Sequence, residues 1–303
     1  MPLDPGTKSL LDFIAGAGYP PMHGGTPEAA RKALRAMSVD LVQPADVIPV
    51  GSVEDLEAAG MAARVYRPEG EGPWPTLVYL HGGGFVIGDL DTHDQICRRL
   101  CSGASTVVVS VDYRLAPEAP YPAAVEDASA AVLWTAEHLH ELGGTDLLAV
   151  GGDSAGGNLA AVVAQQHRDV VGAQVLIYPA THVLGDYPSR SQNGAGYLLE
   201  TSTMEWFFAH YGPTLEEVDT PAVSPLLGDL VGLAPALLVT AEFDPLRDEG
   251  EAYADALTAA GVPVDRTRYD GLVHGFLDMA AVSPAVEAAL VDLTARTKAL
   301  LHG

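Results

Sequence analysis

The sequence predicts an α/β fold with a mostly parallel, twisted sheet that is covered by helices on both faces. Strand-like and helix-like segments alternate from about residue 45 onward, as in folds with parallel sheets. Several of the strand-like segments are continuous blocks of β-branched residues, which are typical of strands buried on both faces. Hydrophobic residues make up 48% of the 303 residues, which is enough for a large core.

Seven segments are predicted to be strands because they are apolar or alternate in polarity. They are residues 62–68, 75–81, 105–114, 146–152, 173–179, 235–244 and 263–271. Four further segments have apolar residues at helical spacing, and they are residues 92–104, 123–144, 248–261 and 284–303. Thr92 and Gln95 have the spacing of a capping box, so we expect the first of these helices to begin at Thr92.

Two parts of the chain do not follow the alternation. Residues 1–45 contain two short helical patterns, the second with Thr26 as N-cap and Pro27 in the first helical position. Residues 183–218 follow a predicted strand and are rich in aromatic and turn residues. We expect both parts to be additions to the sheet that together form a helical cap. The remaining core then consists of residues 46–182 and 219–303.

Composition and charge exclude several classes of protein. The chain has 16 Lys and Arg against 40 Asp and Glu, a formal net charge of −24. Such a surface repels phosphates, and no basic cluster relieves it, so we expect no nucleic-acid partner. No apolar run approaches the ~18 residues of a membrane helix, and the N-terminus lacks the pattern of a signal peptide. We therefore expect a cytoplasmic protein without a membrane partner.

The two cysteines do not predict a disulfide or a metal site. Cys97 and Cys101 are four residues apart in a predicted helix, a geometry that disfavours a disulfide. No pair of histidines at ligand spacing accompanies them, so we expect no zinc and no other metal.

The stretch GDSAG, residues 152–156, lies between a predicted strand and an alanine-rich helical segment. It matches the pattern G-x-S-x-G of a nucleophile elbow, in which the serine has a strained backbone conformation. The flanking positions then have no room for side chains, and the glycines at both ends of the motif provide that room. Gly157 lets the helix approach closely. The motif therefore predicts Ser154 as a nucleophile.

Other glycine-rich turns fit this stretch less well. A phosphate-binding loop needs Lys and Ser or Thr where Gly157 and Asn158 stand. A dinucleotide-binding turn opens the first strand–helix unit, whereas this motif comes in the middle of the sheet. A purely structural turn remains the alternative.

A nucleophilic serine needs a base for its proton and amide donors for the developing oxyanion. We predict the donors at HGGGF, residues 81–85, where three consecutive glycines at a strand end leave backbone N–H groups unshielded. The N–H of Ala155, directly after the nucleophile, should add another donor. We expect His81 to fix this loop rather than to act as the base.

The acid must follow the serine along the chain. Asp244 comes directly after a predicted strand, and we prefer it to Asp248, which lies in the next helix and points elsewhere. Glu242 and Glu249 are lesser candidates.

The base must follow the acid, and two histidines do so. His274 lies in a glycine-flanked loop after the last predicted strand, whereas His302 lies at the end of the terminal helix. We predict His274 as the base and Asp244 as the carboxylate that fixes its tautomer.

With these parts in place, the chain resembles the hormone-sensitive-lipase-like esterases of the α/β-hydrolase fold. The resemblance is carried by HGGGFVIGDLDTHD (81–94), VDYRLAPEAPYPAAVED (111–127), GDSAGGNLA (152–160), DPLRDEG (244–250) and HGF (274–276). It implies an α/β-hydrolase fold and the hydrolysis of carboxylic esters by Ser154, Asp244 and His274.

The resemblance implies further roles. It gives the second and third glycines of HGGG, Gly83 and Gly84, as oxyanion donors beside Ala155. It implies a cap built from the N-terminal segment and the insertion, and it gives Arg114 and Glu118 the structural role of holding the loop beside HGGG. Similar proteins include edge-strand dimers, which leaves a homodimer open.

The sequence as a whole therefore predicts a serine esterase that uses no cofactor. A modest lid favours small or short-acyl esters over emulsified triglyceride. The residues expected to line the substrate site are Phe85, Val86, Tyr197, Leu198, Trp206 and Phe207.

Two alternatives stay open at this level. An amidase or deacetylase would use the same triad and differ only in the leaving group. A non-catalytic ligand-binding protein on this fold is the alternative from another class, although such proteins typically replace the base that His274 would supply.

Overall fold

The computed structural model describes residues 1–18 and 21–303, and within this part of the chain eight strands form one sheet. The strands are β1 (Ser52–Ala58), β2 (Met61–Arg67), β3 (Trp74–Leu80), β4 (Val107–Val111), β5 (Gly144–Asp153), β6 (Ala173–Ile177), β7 (Ala236–Phe243) and β8 (Val264–Val273). Their order in the sheet is β1-β2-β4-β3-β5-β6-β7-β8. The β1–β2 and β2–β4 pairs are antiparallel and all others are parallel, so the prediction of a mostly parallel sheet is confirmed.

The seven predicted strands are all present, but β1 was not predicted. Its sequence, SVEDLEA, has three acidic residues and no apolar run, because this strand lies at the sheet edge with most of its side chains exposed. Arginines of the neighbouring β2 pair with two of these carboxylates: Arg64 with Asp55 and Arg67 with Glu54. Pairing with β2, rather than burial, therefore defines this strand.

Ten α-helices surround the sheet in the described residues. They are α1 (Pro5–Ala17), α2 (Pro27–Ser38), α3 (Asp94–Ala104), α4 (Ala123–His138), α5 (Ala155–Gln166), α6 (Pro188–Gln192), α7 (Thr201–Tyr211), α8 (Leu215–Val218), α9 (Arg247–Ala259) and α10 (Pro284–His302). Thr26 caps α2 by accepting the N–H of Ala29, as predicted. The capping box at Thr92 was wrong: α3 begins after His93, and the hydroxyl of Thr92 bonds Asp89 instead.

Each face of the sheet carries its own hydrophobic core. Alternate residues of β3 point to opposite faces, so Leu77 and Tyr79 enter one core and Val78 and Leu80 the other. The first core is covered by α3 and α10, with Ile96 and Leu290 among its buried residues, and it also contains both cysteines, which are free. The second is covered by α4, α5 and α9, with Val132, Leu159 and Tyr253.

The two parts that interrupt the alternation lie near each other. Helices α6 to α8 all belong to the stretch between β6 and β7. Residues 22–24 of the N-terminal part, a single 3₁₀ turn, contact α7. Helix α6 is attached to the core through Arg190, which donates to the buried carboxylate of Glu249 in α9 at 2.5 Å. A cap formed by both parts, with the boundaries given above, stays a prediction, and its N-terminal part includes residues 19 and 20, which lie outside the described residues.

Candidate active site

Ser154 lies in the sharp turn between β5 and α5, at the carboxyl end of the parallel strands. Its backbone has φ 53° and ψ −116°, a conformation that costs an ordinary residue about 1–3 kcal/mol and holds the hydroxyl out of the turn. A Cβ on Gly152 or Gly156 would overlap the carbonyl oxygen of Leu80. The reason given for glycine at both positions is therefore confirmed. At Gly157 a Cβ would press against the loop after β6, in agreement with the close helix approach expected there.

The structure brings Ser154, His274 and Asp244 together. The Nε2 atom of His274 lies 3.0 Å from the Oγ atom of Ser154, and its Nδ1 atom lies 2.8 Å from an Oδ atom of Asp244. Asp244 has no exposed surface, and its second oxygen accepts the N–H of Leu246 at 2.7 Å. Because a carboxylate can only accept, Nδ1 of His274 carries the proton and Nε2 is free to accept the Ser154 hydroxyl.

The other carboxylates and the other histidine that were weighed have different partners. None of them contacts the ring of His274 in the described structure. His302 bonds the backbone at the end of α3. The carboxylates are bound as follows: Glu242 by the N–H of Gly271, Asp248 by the N–H of Ser189, and Glu249 by Arg190 and the N–H of Thr181. The preference for Asp244 thus agrees with the geometry.

Two residues that the sequence did not single out support the triad. The ring of Tyr178, directly after β6, packs against the imidazole of His274 with centroids 4.6 Å apart. Asn193 donates to the backbone carbonyl of Asp244 at 3.1 Å. The position of Tyr178 at a parallel strand's carboxyl end was the available signal, whereas nothing in the sequence indicates the partner of Asn193.

The HGGG loop leaves amide groups free beside the serine. Gly83 and Gly84 have φ values of +115° and +60°, which glycine adopts readily. The N–H groups of Gly83, Gly84 and Ala155 have no acceptor within residues 1–18 and 21–303. Free donors at the start of α5 and in this loop are what a developing oxyanion requires.

Gly82, the first glycine of the loop, is held at both its N–H and its carbonyl. Its N–H donates to Asp153 at 2.9 Å, and its carbonyl oxygen lies 2.8 Å from Nδ1 of His81. Asp153 also accepts the hydroxyl of Tyr79 at 2.8 Å. Burial lowers the pKa of His81 to about 4, so this ring is neutral near pH 7 and its Nδ1 atom donates to the carbonyl. His81 thus fixes the loop, as expected.

The outer part of the loop is fastened by the N-terminal helix α2. Arg31 donates to the backbone carbonyls of Val86 and Ala116 at 2.8 and 2.9 Å and to both oxygens of Glu118. Glu118 therefore holds the region beside HGGG through Arg31, a partner that the sequence did not indicate. Arg114 pairs instead with Asp127 of α4 at 2.7 Å, so its effect on the HGGG loop is indirect.

Three of the residues expected to line the substrate site contact the oxyanion loop, the loop of the base or the insertion. The ring of Phe207 lies against Gly84, where it would overlap any Cβ at that position. Leu198 is 38% exposed and lies 3.5 Å from the Cβ position of Gly275, next to His274. Phe85 stacks on Tyr211 of α7 with ring centroids 3.9 Å apart, so its ring joins the loop to the insertion.

The expectation for Val86 is the exception. Its side chain has no exposed surface and lies in one of the two cores, so it offers nothing to a substrate. Only its backbone carbonyl has a role, as an acceptor for Arg31. Trp206 packs edge-on against Phe207, and Tyr197 stacks on Phe243 with centroids 5.0 Å apart.

The packing of Gly84 leads to a testable prediction. The variant Gly84→Ala should lose about 10²- to 10³-fold in kcat, because the new Cβ pushes on Phe207 and displaces a donor amide. Adding Phe207→Ala should recover most of that loss, since the obstacle is one removable ring.

Gly83→Ala provides the matched control. Its Cβ would overlap the backbone carbonyl of Ile87, which no side-chain truncation removes. Steady-state kinetics on a soluble ester would compare the four variants. Equal rescue of both alanine variants by Phe207→Ala, or rescue of neither, would contradict this account.

The chain is similar to known proteins along most of its length. Residues 77–278 match the family described as alpha/beta hydrolase fold. Carboxylic ester hydrolase LipN of Mycobacterium tuberculosis is 47% identical over 82% of this chain and 70% of its own length. Ethyl acetate hydrolase of Pseudomonas putida is 39% identical over 96% of this chain and 97% of its own. The solved structure of a hyperthermophilic esterase from Pyrobaculum calidifontis superposes with a TM-score of 0.94 at 42% identity, over 99% of both chains.

The described residues contain neither a membrane-spanning helix nor a metal-binding cluster. Over residues 1–18 and 21–303, no helix combines the length and the apolar character needed to cross a bilayer. In the same part of the chain, no group of three or more His, Cys, Asp or Glu side chains is placed so that it could hold a metal ion.

Proposed function

This chain belongs to the α/β-hydrolase fold family, among its hormone-sensitive-lipase-like esterases, and we propose that it hydrolyses carboxylic esters through Ser154, His274 and Asp244. It is a serine ester hydrolase, and its relatives at 47% and 39% identity are named carboxylic ester hydrolase and ethyl acetate hydrolase. The observation that most supports this assignment of residues is the unbroken chain of contacts from hydroxyl to imidazole to buried carboxylate, at 3.0 and 2.8 Å.

Acylation begins with the attack of Ser154 Oγ on the ester carbonyl. His274 Nε2 accepts the hydroxyl proton, and the imidazolium that forms is stabilised by Asp244, which lies against its Nδ1 atom. The negative charge that develops on the carbonyl oxygen is bound by the free N–H groups of Gly83, Gly84 and Ala155. The intermediate then collapses, and the alcohol leaves with the proton from His274.

Deacylation uses the same groups in reverse order. His274 takes a proton from water, the water attacks the acyl-enzyme, and the second oxyanion is bound by the same three amides. Ser154 regains its proton from His274 as the carboxylic acid leaves. The serine proton moves between groups already in contact, because Nε2 of His274 lies 3.0 Å from the Oγ atom of Ser154.

The surroundings of the serine favour small or short-acyl esters. Phe207 covers Gly84, and Leu198 stands beside the base, so aromatic and aliphatic side chains limit the space next to the donors. The relative named ethyl acetate hydrolase has a name that specifies a two-carbon acyl group. Both observations support a preference set by the size of the acyl chain.

An acyl-chain series tests the proposed substrate class. We expect kcat/KM to be highest for soluble esters of about two to six acyl carbons and to fall by one to two orders of magnitude for longer chains. Phe207→Ala should shift the optimum toward longer chains, because it removes the ring beside Gly84. Strong activity on long-chain emulsions, with none on soluble short esters, would overturn the proposal.

The location and the assembly of the chain stay predictions. We propose that it works in the cytoplasm, without a membrane or nucleic-acid partner, on small-molecule esters. A homodimer is the expected alternative to a monomer. Cell fractionation and analytical ultracentrifugation are the measurements that test these two points.

A further inference from the structure

A cluster of buried polar groups lies under the oxyanion loop and has no part in the triad. Its centre is His93, which occupies the N-cap position of α3. The Nε2 atom of His93 lies 3.6 Å from Asp153, the carboxylate that accepts the N–H of Gly82. The side chain of Asp153 is 9% exposed and that of His93 11%, so the pair is almost fully removed from water.

Each ring nitrogen of His93 faces an oxygen atom that can accept a proton. Its Nδ1 atom lies 3.0 Å from the hydroxyl oxygen of Thr92. When that hydroxyl donates its single proton to the backbone carbonyl of Asp89, 2.9 Å away, its oxygen accepts from Nδ1 of His93. Nε2 faces a carboxylate, which also can only accept. In that arrangement a proton on each ring nitrogen has an acceptor, which corresponds to the imidazolium form of His93.

We propose that the His93 imidazolium and the Asp153 carboxylate are positioning residues that hold the oxyanion loop against the nucleophile elbow. The inference rests on the proposed function of Ser154. Asp153 directly precedes the nucleophile in the chain and binds the first glycine of the HGGG loop, so it joins the two structures that must meet at the substrate carbonyl.

The charge of His93 is needed because an unpaired anion at this place opposes catalysis. A buried carboxylate next to the loop repels the negative charge that develops on the substrate oxygen. The imidazolium neutralises Asp153, so the carboxylate keeps its hydrogen bonds to Gly82 and Tyr79 without adding net negative charge.

The groups around His93 determine the pH range in which its imidazolium neutralises Asp153. Burial by itself would lower the pKa of His93, but the facing carboxylates of Asp153, Asp278 and Asp89 raise it above the ordinary histidine value. The nearby His81 is neutral, and Tyr79 and Thr92 are uncharged. Because the pKa is raised, His93 keeps its proton to a higher pH than an ordinary histidine does and loses it as the pH rises further. We expect kcat, and with it part of the folding stability, to fall on the alkaline side.

The central variant is His93→Gln, which keeps an N–H donor for Asp153 but cannot carry the charge. We expect kcat to fall about 10- to 100-fold with KM changed less than about threefold, because binding of the neutral ester does not use the oxyanion amides. The double variant Asp153→Asn with His93→Gln should regain at least about tenfold, since asparagine still accepts from Gly82 and leaves no unpaired charge. Both variants should lack the alkaline fall in kcat.

His167→Gln is the matched control. His167 lies at the far end of α5 from Ser154, about 18 Å along the helix, and bonds Ser129. The same replacement there should leave kcat and its pH profile as in the unmodified protein. If His93→Gln does not fold, Asp278→Asn serves instead, because it removes a facing carboxylate and should move the alkaline fall to lower pH.

The outcomes separate this inference from the proposed function. The inference is supported if kcat falls in His93→Gln and partly recovers in the double variant. It is also supported if the alkaline fall in kcat is missing in these variants or moves to lower pH in Asp278→Asn. An unchanged kcat and pH profile in His93→Gln, a loss confined to KM, or an unmoved limb in Asp278→Asn overturns it. A rate of Ser154→Ala within tenfold of that of the unmodified protein would instead refute the proposed function, independently of His93.

Discussion

Ser154→Ala is expected to lower kcat for a soluble short-chain ester by about five to six orders of magnitude. The variant removes the only atom that forms the covalent intermediate, and it leaves His274 with no hydroxyl to deprotonate. The three free amides remain, so a residual rate above that of the uncatalysed reaction should survive. KM, where it can be measured, should change little, because the ester is bound by groups other than the hydroxyl.

The measurement combines steady-state kinetics with a covalent probe. A serine-directed phosphonate should form one adduct per molecule of the unmodified protein, at Ser154, and none on the variant, as measured by mass spectrometry. Ser129→Ala is the matched control, because Ser129 also bonds a histidine, His167, at 2.6 Å. That pair has no partner carboxylate in the described structure, so Ser129→Ala should keep the full rate and the adduct. An adduct on the Ser154 variant, or a rate within tenfold of the unmodified protein, would show that another nucleophile acts.

The parts of the site that could be predicted depend either on the geometry of a single turn or on the sheet edge at which a strand ends. Glycine on both sides of Ser154 follows from the turn itself, and the structure shows a carbonyl oxygen where each Cβ would lie. Asp244 and His274 were identified because parallel strands end at one edge of the sheet, which brings their loops together. Chain order and strand ends were therefore sufficient to predict three residues that meet in space.

The parts that could not be predicted depend on which distant side chain completes a bond. Asp153 was treated as the variable position of GDSAG, although its carboxylate binds the oxyanion loop 71 residues away in the chain. Val86 was assigned to the substrate site, but the loop turns its side chain into the core. Thr92 had the spacing of a capping box, yet its hydroxyl is used by Asp89 and His93. In each case the residue type and spacing allow two uses, and tertiary contacts select one.

Asp244→Asn is expected to lower kcat by about four orders of magnitude while leaving the fold intact. Asparagine is close in size to aspartate and can still accept the N–H of Leu246, which now bonds Asp244 at 2.7 Å. Its amide would donate to Nδ1 of His274, which forces the proton onto Nε2, the atom that must accept from Ser154. The loss of charge also removes the stabilisation of the imidazolium in the transition state.

Asp248→Asn is the control, because Asp248 binds the backbone of Ser189 and does not contact the imidazole, so its rate should stay within about threefold of the unmodified enzyme. The stronger test is the combination of Asp244→Asn with Ser154→Ala. If Asp244 acts only by preparing His274 for the serine proton, removing it from a protein that already lacks the hydroxyl should cost almost nothing further. Losses that multiply would mean that Asp244 contributes by a route other than Ser154, for example by holding the loop that His274 occupies.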